Sequence, residues 1–205
     1  MLGIDLSAER ILTRVMAAAI VVTVHGILMV LLARAMGDRG PTYDGRLSLN
    51  PFRQSDLIGL VTIVISQFGW GRPVRLAPKA LRLGPWSVPI IVALSLMGVV
   101  IFAWALWLLR PMVFTLLPEN PLALAINGLI ERTVRIAVGF AVLNVLPIPP
   151  LCAGLVWSAV FPQHYEWLEE RRLMTSLAMG IAIVALAPFM VAPVLEAQRL
   201  LTAGI

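Results

Sequence analysis

Nineteen consecutive residues, Val15 to Ala33, carry no charge, and only Thr23, His25 and Gly26 interrupt their apolar character. At about 1.5 Å of rise per residue, a helix of that length crosses roughly 30 Å, the thickness of a bilayer's hydrocarbon core. In lipid an isolated backbone segment satisfies its own amides and carbonyls as a helix, so this run dictates a helical membrane protein. A histidine near the middle of such a helix is costly without a partner, which makes His25 the first candidate functional residue.

The rest of the chain repeats the pattern. The first span is expected from about Ile11 to Met36, stopped by Gly37-Asp38. Residues 37–56 are polar, Gly/Pro-rich and basic, and read as a loop with a short extended piece at Arg46–Leu49. Residues 57–68 are apolar but too few to span comfortably, and Gly69-Trp70-Gly71 and Pro73 end them. Basic residues flank this segment on both sides, so it is expected to dip in and return on the same side, with a full crossing as the competing reading. Trp86–Leu109 is an uncharged span with Trp86 at one end and Trp104 and Trp107 at the other, as interface belts require. Leu122–Leu146 is a further span that holds Glu131, Arg132 and Arg135, where Glu131 and Arg135 stand four apart on one helical face and can pair. Pro147, Pro149 and Pro150 break the chain after Asn144. Pro162–Arg172 reads as a polar loop, and Leu173–Leu195 as a last span kinked or interrupted by Pro188 and Pro193.

The expected fold is therefore all-α and polytopic, one integral domain over 1–205 with about four full transmembrane helices and one short re-entrant or membrane-embedded segment. The chain is 60% hydrophobic and 13% charged, against about 25% charged in an average soluble domain. Fifteen of its sixteen cations are arginines, most of them in loops beside apolar runs, so the net charge of +5 implies no nucleic acid. Placing 34–53, 72–82 and 171–172 inside puts ten cations in the cytoplasm and the N-terminus outside. The single cysteine, Cys152, rules out an internal disulfide. Residues 1–10 lack a positive n-region and a cleavage site, so the first span is expected to be a retained helix rather than a signal peptide.

Three pieces together resemble the compact site-2 protease family of intramembrane zinc metalloproteases. They are the histidine of the first span followed by Gly37-Asp38; Gly45-Arg46-Leu47-Ser48-Leu49-Asn50-Pro51 with Asp56-Leu57-Ile58-Gly59 and Phe68-Gly69-Trp70-Gly71-Arg72-Pro73-Val74; and Asn144-Val145-Leu146-Pro147-Ile148-Pro149-Pro150-Leu151. The likeness covers about 15–155, and the C-terminal helix of about 173–200 lies outside it. The resemblance implies a bacterial inner, or cytoplasmic, membrane location and a zinc site built on His-Glu-x-x-His, in which two histidines one turn apart hold the metal and the glutamate activates its water. A third ligand, an aspartate, follows the Pro-Pro-Leu turn.

Here His25 keeps the first ligand position, while Gly26 stands at the general base, Met29 at the second histidine and Cys152 at the aspartate. Ser95-Leu96-Met97-Gly98 is the nearest stretch to a further family element in the third span. These departures lead to an expectation of a degenerate member that is not an enzyme, takes no cofactor, and serves as a binding or accessory subunit against lipids and partner transmembrane subunits. Asn144, Pro147, Pro149 and Pro150 are its scaffold motif, and Glu131, Arg132 and Arg135 its intramembrane charges. The alternatives are a copper site of His25, Met29 and Cys152, since imidazole, thioether and thiolate suit Cu(I), and residual protease activity. Neither copper nor zinc is expected. His25 is expected to donate a hydrogen bond to a carbonyl freed by the proline-rich turn, and Gly26 to admit a neighbouring helix.

Overall fold

The computed structural model describes residues 7–118 and 120–202. Residues 1–6, on which the reading of the N-terminus partly rests, and Glu119 of the loop before Pro121 lie outside the described residues. Among the described residues ten α-helices follow in order: α1 (Ala8–Ala35), α2 (Gly40–Tyr43), α3 (Pro51–Gln54), α4 (Leu57–Ser66), α5 (Ser87–Leu108), α6 (Arg110–Leu116), α7 (Pro121–Asn144), α8 (Val156–Val160), α9 (Pro162–Glu170) and α10 (Arg172–Thr202). Among the described residues there is no strand, and the fold is all-α as expected. Among the described residues three stretches are long and apolar enough to cross a membrane: Ala8–Ala35, Gly84–Leu116 and Arg172–Thr202. The fourth expected span, α7, has 24 residues but carries Glu131, Arg132 and Arg135, so length and composition alone do not qualify it.

α1, α5 and α7 pack against one another, and α10 lies against α4 and α7. The 28 residues of α1 amount to about 42 Å of helix. Ser7 caps its start, accepting from the Arg10 amide at 3.4 Å. Gly37 takes a φ of +111° just past its end, a region open to glycine at little cost. That turn aims Asp38 back into the protein, where its carboxylate accepts from the amides of Gly40 at 2.9 Å and Ala77 at 2.8 Å. One buried side chain thus ties the end of α1 to a segment nearly forty residues further on.

The short apolar segment becomes α4, ten residues capped by Asp56, whose Oδ1 accepts from the Gly59 amide at 3.1 Å. The chain turns back at Gln67, with a φ of 68°, and runs beside α4 until the Arg82 amide reaches the Met36 carbonyl at 2.8 Å. The segment therefore turns back and returns to the end where α1 finishes, a course that agrees with the re-entrant expectation. Close approach makes this possible: a Cβ on Gly59 would strike the Trp70 backbone, and one on Gly69 would sit 2.6 Å from the Gly59 carbonyl oxygen. Arg14, buried within α1, donates to the Val64 carbonyl at 2.8 Å and so satisfies a carbonyl in the last turn of α4.

Four local expectations are corrected. The piece at Arg46–Leu49, expected to be extended, bends at Leu47 and Leu49 and is held by the Gln54 amide donating to the Arg46 and Ser48 carbonyls at 2.6 and 3.1 Å. The polar stretch after Pro162 is the helix α9. Pro162 opens it at a position where a missing amide costs nothing, and Tyr165 and Leu168, three apart, face inward. α10 is not interrupted at Pro188 and Pro193, both of which lie inside the one helix, since neighbouring groups in a membrane bundle compensate lost backbone bonds. The span expected over Trp86–Leu109 does close there, α5 ending at Leu108, but Arg110-Pro111 opens a further helix, α6, instead of ending the helical stretch, and Arg110 stacks over the Trp107 ring at 4.1 Å. Glu131 and Arg135 do pair, at 3.2 Å.

Candidate functional site

His25 lies where α1, α5, α7 and the proline-rich turn converge. Its Nε2 stands 3.3 Å from Cys152 Sγ and 3.4 Å from Ser95 Oγ, and its ring meets Phe140 of α7 edge-on at 4.9 Å. This corrects the expected bond to a backbone carbonyl: the partners of the imidazole are a thiol and a hydroxyl. Met29, one helical turn beyond His25, is fully buried and lines the same cavity as His25, Asn144, Pro150 and Cys152. The cavity measures about 10 Å³, on the order of the smallest space that holds one water.

Asn144 builds the site. Fully buried at the end of α7, it donates through Nδ2 to the Gly69 and Phe140 carbonyls, both at 2.9 Å, and its Oδ1 accepts from the Cys152 amide at 2.9 Å. One amide side chain therefore holds α7, the strip returning from α4, and the turn that carries Cys152. Pro147 contributes its carbonyl to the Trp157 indole at 2.8 Å. Gly154 closes the turn, since a Cβ there would lie 2.7 Å from Pro149 Cα.

Gly26 admits the last residue of α3. A Cβ at position 26 would collide with the amide head of Gln54, which is 1% exposed and whose Oε1 has no hydrogen-bond partner. The space beside His25 is thus filled by Gln54 at the end of α3, a one-turn helix packed on α1. Arg46 fixes the chain about α3, donating to the Arg53 carbonyl and, at 2.8 Å, to the Arg72 carbonyl. Burial, then Arg72 and Arg172, lower its pKa to about 10, so it remains charged at neutral pH.

Glu131, Arg132 and Arg135 do not join this centre. They are half-buried on α7, and Arg135 lines a separate small cavity with Ser66–Phe68 of the turn after α4 and Val191 and Val194 of α10. Gln54 and Ser95 are the functional residues that sequence reasoning missed. Their sole signal was position: Gln54 in the loop that carries the resemblance, and Ser95 in the stretch standing for the family's third-span element.

The thiol stands within hydrogen-bond distance of the imidazole, and the site presents two metal-type donors with a thioether nearby. A hydrolytic zinc site takes three nitrogen, oxygen or thiolate ligands from the protein. Among the described residues no group of three or more His, Cys, Asp or Glu side chains could hold a metal ion, so the residues present do not fit the zinc that the resemblance implies.

No family model and no solved structure matches the chain. A stretch of 52 residues is 36% identical to the protein described as "Putative zinc metalloprotease YwhC" of Bacillus subtilis (strain 168), covering 25% of this chain and 24% of that one. The likeness thus spans about a quarter of either protein. It corrects the expectation of a non-enzyme: the named relative is described as a zinc metalloprotease, which points towards a protease family.

Proposed function

We propose that the chain is a site-2 protease-like protein of the bacterial cytoplasmic membrane that receives a transmembrane segment of a partner polypeptide beside the His25–Cys152 centre, within an assembly of membrane subunits. The observation that supports this reading is the meeting of His25 and Cys152. They are 127 residues apart in sequence and 3.3 Å apart in space, and they occupy the first and third of the ligand positions that the resemblance implies. Asn144 and the Gly69–Trp70 strip hold that meeting in place. The relative's description makes peptide-bond hydrolysis the activity to assay on any captured segment.

Met97 offers the test position. It is 53% exposed on the outer side of α5, two residues past Ser95, and the adjacent Gly98 packs against Leu28 of α1. A photoreactive amino acid introduced at Met97 and irradiated in native membranes is expected to capture a membrane polypeptide. The same group at Trp167, in α9, serves as the control. Adducts with lipid alone from Met97 would refute the reading. Truncation of the captured segment in the parent, lost in the His25→Ala and Cys152→Ala variants, would assign hydrolysis to this centre.

A further inference from the structure

A cleft of about 980 Å³ opens between residues 75–85, which lead into α5, and helices α8 and α9, which lead into α10. Two of the membrane-length helices begin here and α1 ends here, as the Arg82–Met36 backbone bond shows. Trp86, 78% exposed at the start of α5, suits the aromatic belt of a membrane boundary. The cleft is therefore placed at the level of lipid headgroups.

Its walls carry opposite charge. Arg75 and Lys79 stand on one side, and Glu166, Glu169 and Glu170 on the other. Among the described residues no ion pair joins the two walls: Glu169 pairs with Arg172 at 3.5 Å and Glu170 with Arg171 at 3.7 Å, both on the acidic side. Facing charges that do not touch, with a cavity between them, suit a ligand that carries both signs. Buried apolar surface, including Leu155, lines the same cleft. The Tyr165 phenol, pushed up to about 12 by burial and then by Glu169, stays protonated at neutral pH and is a donor available to a phosphate oxygen.

We propose that this cleft binds the headgroup of a zwitterionic phospholipid bearing a primary amine, with its phosphate against Arg75 and Lys79 and its ammonium against Glu166 and Glu170. An anionic lipid would use the basic wall and be repelled by the acidic one, and a peptide of single charge would use one wall alone. The lipid is also the ligand that the surrounding bilayer supplies at this depth.

The test uses the full chain in nanodiscs of phosphatidylethanolamine, phosphatidylglycerol and phosphatidylcholine in equal parts, with retained lipid identified by native mass spectrometry. Phosphatidylethanolamine is expected to be enriched, and phosphatidylcholine, equal in charge but without ammonium N–H donors, to be retained less. Arg75→Ala and Lys79→Ala are each expected to lower retention roughly fivefold. Glu166→Gln with Glu170→Gln is expected to abolish the preference for phosphatidylethanolamine over phosphatidylglycerol. All four positions are exposed, and a melting profile matching the parent's confirms that each variant is folded. Equal retention of phosphatidylethanolamine and phosphatidylglycerol, a phosphatidylglycerol preference indifferent to the glutamate substitutions, or a bound polypeptide in place of lipid would each overturn the proposal.

Discussion

Replacing Asn144 with leucine is expected to destabilise the protein by about 2–4 kcal/mol and to free the Cys152 thiol. The substitution nearly preserves volume but deletes three hydrogen bonds. Side-chain hydrogen bonds in membrane proteins average roughly 0.6 kcal/mol, with the largest near 1.7, but here the partners are left behind without replacement. The Gly69 carbonyl and the Cys152 amide lose a partner in a fully buried setting, and a stranded buried group costs about 1–3 kcal/mol. The same change unfastens the turn that carries Cys152, so maleimide labelling of the chain's one cysteine should accelerate together with the fall in stability. Val142, two residues earlier and 43% exposed, supplies the control: Val142→Ala should stay within about 0.5 kcal/mol of the parent. Thermal unfolding in mild detergent measures both. Equal stability of the two variants would show that Asn144 does not hold the site.

The second large effect concerns the space beside His25. Gly26→Ala places a methyl group where the Gln54 head now sits, and overpacking of a tight core costs about 1–3 kcal/mol. Gln54 cannot withdraw freely, because its amide donates to the Arg46 and Ser48 carbonyls. The double variant Gly26→Ala with Gln54→Ala should therefore lose less than the sum of the single losses, with a coupling of about 1 kcal/mol or more. Simple additivity would mean that the two residues do not share this space. The Gln54→Ala loss has two parts of opposite sign, since the variant removes two bonds and also relieves an unpartnered buried oxygen.

Much of the architecture was legible because membrane helices write themselves as long uncharged runs. α1, α5 and α10 follow from that pattern alone, and the Glu131–Arg135 pair follows from its i, i+4 spacing on α7. The turning back of the chain at α4 was legible from that segment's length and its two basic flanks. α9 was not, because its polar surface masks a helix whose inward face is as small as Tyr165 and Leu168. The continuity of α10 through Pro188 and Pro193 was hidden for another reason: the proline rule for water-soluble helices does not count what neighbouring helices restore. At the site, the resemblance named His25, Met29, Cys152 and Asn144, and the fold gathers all four around one cavity. What it could not reach were contacts between polar residues far apart in sequence. Ser95 meets His25 across 70 residues, and Gln54 fills the room at Gly26 from a one-turn helix too short to show a periodicity. Neither leaves a local signature in composition or spacing. The expected carbonyl partner of His25 failed for the same reason, since Asn144 already organises the turn and leaves Cys152 as the group that faces the ring.

The account depends on contact between the imidazole of the first helix and the thiol of the proline-rich turn. Because Cys152 is the single cysteine, the infrared S–H stretching band of the purified protein belongs to that one residue. The band is expected to shift when His25 is replaced by leucine, and to stay in place for Leu31→Val, a change on the exposed side of the same helix. A band at the same frequency in the parent and in His25→Leu would contradict the account.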